Sequence, residues 1–140
     1  MKTLKLVEDP EIEKIKQKKL EELLKQQQEA IAQSQVEVID LNSANFDQVI
    51  STQSLVLVDF WAEWCGPCKL MHPVFDRMAK KYRHIKFARV NVDKCQDISM
   101  RFEVQAIPTF IMFKNGKPAD KMMGAVGEPG IHMIAKKYQM

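Results

Sequence analysis

The sequence predicts an α/β protein: a mixed central sheet with helices on both faces, preceded by one extra helix. Three observations lead there. From residue 36 onward, strand-like apolar runs alternate with helical patterns, which calls for parallel strands joined by crossover helices. Near the C-terminal end an Asn115-Gly116 pair separates two strand-like runs, a strong hairpin signal that adds antiparallel strands. Residues 11–33 hold neither glycine nor proline and are rich in strong helix formers.

The first element starts at Asp9-Pro10-Glu11, a cap residue followed by proline and an acid in the first turn. A helix running to about Gln33 would reach roughly 35 Å. At 100° per residue, Ile12, Ile15, Leu20, Leu23, Leu24 and Ile31 share one broad half of the wheel, while Lys14, Lys18, Glu21, Lys25 and Gln28 take the other. Glu13, Lys16 and Gln27 interrupt the apolar half, so the strict seam of a coiled coil is missing. The domain boundary is placed here: 1–35 as a helical extension, 36–140 as the folded domain. Val36–Leu41 follows as a strand, and Asn42-Ser43 caps a short helix through Ile50. Leu55–Phe60 is almost wholly apolar, as befits a strand buried on both faces. Residues 67–82 are helical, with apolar Leu70, Met71, Val74, Phe75 and Met78, and Ile85–Val92 is a second central strand. A short helix at 96–102, strands at 109–113 and 117–123, and a last helix at 129–138 complete the order.

Composition narrows the function classes. The chain has 140 residues, of which 46% are hydrophobic, enough for one cored domain with an appendage. A net charge of +3 without a concentrated basic patch argues against nucleic acid as a partner. No stretch approaches the roughly 18 apolar residues that span a bilayer, and the first residues hold no signal-like apolar core. The expected location is therefore the cytosol, where structural disulfides are rare. Three cysteines, an odd number, point to thiol chemistry and not to a disulfide framework.

Two of those cysteines lie in Trp64-Cys65-Gly66-Pro67-Cys68, directly after the buried strand and opening a helix. Cysteines three residues apart are close enough to bridge when the first sits at a helix N-terminus. The unpaired N–H groups and positive dipole end favour thiolate there. An ordinary thiol is only about 3% ionised at neutral pH, so that help matters. Pro67 suits a first turn, and Gly66 clears space for an approaching chain.

The run Val58-Asp59-Phe60-Trp61-Ala62-Glu63-Trp64-Cys65-Gly66-Pro67-Cys68-Lys69 resembles the active-site signature of the thioredoxin family at nearly full length. Ala106-Ile107-Pro108-Thr109-Phe110 resembles the family's cis-proline loop, and Phe113-Lys114-Asn115-Gly116 and Gly124-Ala125 its later turn and substrate-facing loop. The resemblance covers residue 36 to the C-terminus and implies a thioredoxin fold and a protein-disulfide reductase. Cys65 would attack a target disulfide, and Cys68 would then displace the target and leave a redox disulfide between Cys65 and Cys68. Asp59, an acid in an apolar strand whose pKa burial should raise, matches the family's proton-exchanging carboxylate. Trp64, Gly66, Pro67, Ile107, Pro108, Gly124 and Ala125 would contact substrate, with Pro108 cis and the Ile107 backbone pairing like an added strand. Pro73 would kink the helix. The implied partners are a thioredoxin reductase and disulfide-containing proteins; no cofactor is implied. Arg89 stands where many relatives carry lysine, and arginine cannot serve as a neutral base.

The less specific features read as follows. Cys65 and Cys68 could be half of a zinc site completed by Cys95 with His72, His84 or His132, but there is no second Cys-x-x-Cys and the strand–motif–helix context matches the redox use, so no metal is expected. Cys95 reads as an inert surface thiol in preference to a regulatory or dimer-forming one, and the histidines receive no function. The methionines read as core filler, with Met122 and Met123 bordering the substrate-facing loop. The N-terminal helix reads as packing on the domain, fraying in solvent, self-associating or docking a partner.

Overall fold

The computed structural model describes residues 10–34 and 37–139, the side chains of 32–34 excepted. The chain divides into two compact units, Met1–Gln35 and Val36–Met140. In the first, helix α1 spans Pro10–Ser34, with Glu11 and Glu13 in the first turn where carboxylates favour the positive end of the dipole. The expected Asp9 cap lies outside the described residues.

In the second unit, β1 (Ile39–Leu41), α2 (Phe46–Thr52), β2 (Leu55–Trp61), α3 (Gly66–Lys81), β3 (Lys86–Asn91), α4 (Gln96–Arg101), β4 (Thr109–Lys114), β5 (Lys117–Met123) and α5 (Gly127–Lys137) follow in order. The five strands form one mixed sheet in the order β1-β3-β2-β4-β5. β1 and β2 run parallel to β3, whereas β4 is antiparallel to both β2 and β5. The expected architecture stands, with local changes. β1 pairs with β3 only through Ile39, Asp40 and Leu41, so it is shorter than the apolar run suggests; Val36 lies outside the described residues. Asn42 turns the chain through side-chain bonds from the Ala44 and Asn45 amides, which delays α2 to Phe46. α5 starts at Gly127, ahead of Pro129, because a proline within the first turn forfeits no helical bond.

Strand alternation divides the core. Leu55 and Leu57 face Met71, Phe75 and Met78 of α3 and Ile131 and Ile134 of α5. Val56, Val58 and Phe60 face Phe46 and Ile50 of α2 and Ile98 of α4. Asp59 shares its face with Leu57, since side chains two apart on a strand point the same way. That alternation puts a carboxyl group beneath α3. At the far end of the sheet, Asn115 and Gly116 take φ values of 51° and 82°, the two positive values a tight hairpin turn needs, and Lys114 pairs with Lys117 across it.

Candidate active site

β2 ends at Trp61, and after a turn through Ala62–Trp64 the chain enters α3 with Cys65 as its N-cap. The Cys65 amide bonds the Ala62 carbonyl at 3.1 Å, and the Cys65 sulfur accepts from the Cys68 amide at 3.3 Å. Cys65 and Cys68 are joined as a disulfide with their Cα atoms 5.3 Å apart. Both are buried among Ala62, Trp61, Val92 and Ile107, Cys68 completely. Trp64, Gly66 and Pro67 are exposed around them. Trp64 is held by a bond from Nε1 to Asp93 Oδ2 at 3.0 Å, and the residue is 70% exposed.

Two more segments meet the pair. The Ile107–Pro108 peptide bond is cis, and the Ile107 carbonyl oxygen lies 3.9 Å from the Cys65 sulfur. Gly124, at φ 91° where only glycine is unstrained, donates its amide to the Pro108 carbonyl at 2.8 Å. Ala125 follows it, exposed. The loops that precede β4 and follow β5 are thus tied to each other beside the cysteines. Pro73 lies within α3, one turn beyond Cys68.

On β2, two residues before Trp61, Asp59 is fully buried and neither carboxyl oxygen has a hydrogen-bond partner among the described residues. Its neighbour in register on β3 is Arg89, whose Nε stands 3.8 Å from Oδ2. Burial dominates: it lifts the Asp59 pKa from 3.8 to about 7, against the opposing pull of Arg89 and with a small further rise from Asp76. Arg89 is turned mainly elsewhere, donating from Nη2 to Asp76 at 2.6 Å and to the His72 carbonyl at 3.0 Å.

The sequence missed His72. Its Nε2 lies 4.0 Å from Asp59 Oδ2, and its ring packs edge-on against Trp61 with centroids 4.7 Å apart. The signal was present as spacing: Cys68, His72 and Asp76 recur every four residues and therefore share one side of α3. Cys95 requires a correction. It is buried, 3% exposed, and not a surface thiol: its amide bonds Asn91, and its sulfur tucks under Leu41 within the cluster of Phe46, Val90 and Ile98. Burial pushes its thiol pKa up. Among the described residues no three His, Cys, Asp or Glu side chains converge to hold a metal, and no helix is long and apolar enough to cross a membrane.

A disulfide at a helix N-terminus, on this sheet and beside this loop, defines a class: protein-disulfide oxidoreductases, which exchange disulfides with other proteins by making and breaking their own. The family described as Thioredoxin matches residues 37–137, and the chain belongs to that family. Thioredoxin of Mycoplasmoides gallisepticum is 45% identical over 95 residues, covering 68% of this chain and 95% of that protein. The chloroplastic M-type thioredoxin of Triticum aestivum is 43% identical over 104 residues, 73% of this chain and 59% of that protein. A solved Plasmodium falciparum thioredoxin superposes with a TM-score of 0.70 at 36% identity, covering 73% of this chain and 100% of that one.

Proposed function

We propose that the protein is a general cytosolic thioredoxin, an electron carrier that reduces disulfides in other proteins and is recharged by a thioredoxin reductase. The observation that carries this is the intact Cys65–Cys68 disulfide capping α3, beside the cis Pro108. Cys65 attacks the target disulfide. Cys68 then attacks Cys65, releases the reduced target and closes the disulfide, while Asp59 takes the proton of Cys68. Exposed Trp64, Gly66, Pro67, Gly124 and Ala125 form the docking surface with Ile107 and Pro108, and the Ile107 backbone pairs with an extended target segment. Residues 36–140 carry this activity, and residues 1–35 serve partner docking or self-association. The cytosolic location is part of this proposal; one relative, from Triticum aestivum, is chloroplastic.

The test is catalysed reduction of a disulfide-bonded protein by a small dithiol. Wild type and Cys95→Ser should turn over, Cys65→Ser should not, and Cys68→Ser should accumulate a mixed disulfide with the target. Equal activity in all four would refute the assignment. Deleting residues 1–35 should leave turnover unchanged; its loss would overturn the division of labour.

A further inference from the structure

When Cys68 attacks the mixed disulfide it must lose a proton, and when the pair is reduced again it must regain one. If Asp59 takes that proton, as read above, the carboxyl group itself needs a route to solvent, because it is fully buried. The groups around it differ sharply in what they can do. Arg89 Nε is 3.8 Å away, but a guanidinium does not give up its proton and has no lone pair to receive one. Asp76 is engaged by the Arg89 fork. His72 is the third neighbour. Its Nε2 is buried, lacks a hydrogen-bond partner among the described residues, and lies 4.0 Å from Asp59 Oδ2, which is unpartnered too. The side chain as a whole keeps 24% of its surface exposed, so its open part lies away from Nε2. An imidazole carries a second nitrogen, which makes it a two-ended conduit.

We propose that His72 is the relay through which Asp59 exchanges its proton with solvent, a role it exerts on the cysteine pair through Asp59. The proposal rests on the reading of Asp59 given above.

The balance closes. In the oxidative half-cycle Cys68 gives its proton to the Asp59 carboxylate. The carboxylic acid passes it to His72 Nε2, and Nδ1 releases a proton to water. The Cys68 thiolate forms the S–S bond with Cys65 as the Cys65–target S–S bond breaks, and the departing target thiolate carries away the electron pair. Reduction runs the protons backwards and restores the first tautomer, so one full cycle resets the ring. A neutral imidazole suits this work, having a lone pair for Asp59. The surroundings keep it neutral: burial and Arg89 depress the His72 pKa, while Asp76 on the same helix, Glu63 in the turn after β2 and Asp40 on β1 push against them. The T-shaped contact with Trp61 holds the ring over the strand end, and a small torsional movement shortens 4.0 Å to hydrogen-bond reach.

The experiment isolates resolution by Cys68. The full chain is converted at acidic pH into the mixed disulfide of Cys65 with a nitrobenzoate thiol. It is then jumped by stopped flow to a series of pH values, and release of the coloured thiolate is followed in dilute buffer with and without free imidazole. Wild type should show no dependence on imidazole. His72→Gln and His72→Ala should slow release at neutral pH by about a hundredfold, the low end of what a positioned proton-transfer group supplies. Free imidazole should restore His72→Ala in proportion to its concentration, and should leave Asp59→Asn slow. If Asp59→Asn is slow while both His72 variants match wild type, the relay is refuted and the role of Asp59 survives. If Asp59→Asn matches wild type at every pH, the reading beneath the relay is itself refuted. A slow His72→Ala that imidazole leaves unchanged, with the wild-type pH profile, would make His72 a packing residue and overturn the proposal.

Discussion

Asp59→Asn keeps the shape of a fully buried side chain and deletes its ionisation, which makes it a clean probe of what the buried carboxyl costs. In the folded chain its pKa is lifted from 3.8 to about 7, burial being the main cause. Between those values the folded state holds a proton that the unfolded state has released. Folding stability therefore falls as pH rises through this window, and levels off once the folded form ionises as well. At about 1.4 kcal/mol per pH unit, a window of about three units amounts to about 4 kcal/mol. Most of it, roughly 3 kcal/mol, falls between about pH 5 and about pH 8.5. The other titrating groups are common to both proteins, so the difference between variant and wild type isolates Asp59. Oxidised wild type and Asp59→Asn should be unfolded with urea at a series of pH values. The stability of the variant relative to wild type should climb by roughly 3 kcal/mol across that range. A difference that stays constant with pH would mean that Asp59 titrates alike in both states, and that the Arg89 guanidinium at 3.8 Å cancels the cost of burial.

Further outcomes follow from other parts of the fold. Phe75 is fully buried with its ring centroid 4.8 Å from that of Phe87, so Phe75→Ala should cost about 3–5 kcal/mol by denaturant titration. Gly116 has space for a Cβ, with the nearest atom at 3.8 Å, yet sits at φ 82°; Gly116→Ala should therefore cost only about 1 kcal/mol, from backbone strain alone. Cys95 should react with a thiol reagent far more slowly than an exposed thiol, and denaturant should abolish the protection. Trp64→Ala should leave stability within about 0.5 kcal/mol, because the ring is exposed, while weakening turnover of protein disulfides more than of small ones.

The strand and helix order was legible because β2 is an apolar run interrupted only by Asp59, and because Asn115-Gly116 admits few conformations other than the tight turn it makes. Element ends were less so. α2 begins late because Asn42 spends its side chain on a preceding turn, which composition does not disclose. The cysteine pair and the cis proline were legible as contiguous strings, whereas the surroundings of Asp59 were not. Arg89 reaches it through strand register and His72 through helix phase, and these combine only when α3 is laid across β2 and β3. Cys95 misled for a related reason. Its neighbours Asp93, Lys94, Gln96 and Asp97 are polar, and only the turn closed by its amide on Asn91 rotates the sulfur inward.

The bond from the Gly124 amide to the Pro108 carbonyl has a consequence for how this chain tolerates changes in length. Residues 108 and 124 are the two open ends of a single hairpin whose closed end is Asn115-Gly116. The separation of the two loops beside the cysteines is therefore written in the ladder, like the gap between the tips of a pair of tweezers set by its hinge. Residues inserted at the closed end leave the tips in register and enlarge only a distant turn. One residue removed from β5 shifts every later pairing, inverts which side chains face the core, and pulls Gly124 away from Pro108. The irregularity already present between Met112 and Phe113 is part of that measure. Length variation in this hairpin is thus cheap at Asn115-Gly116 and ruinous a few residues away, though both places lie on the same two strands.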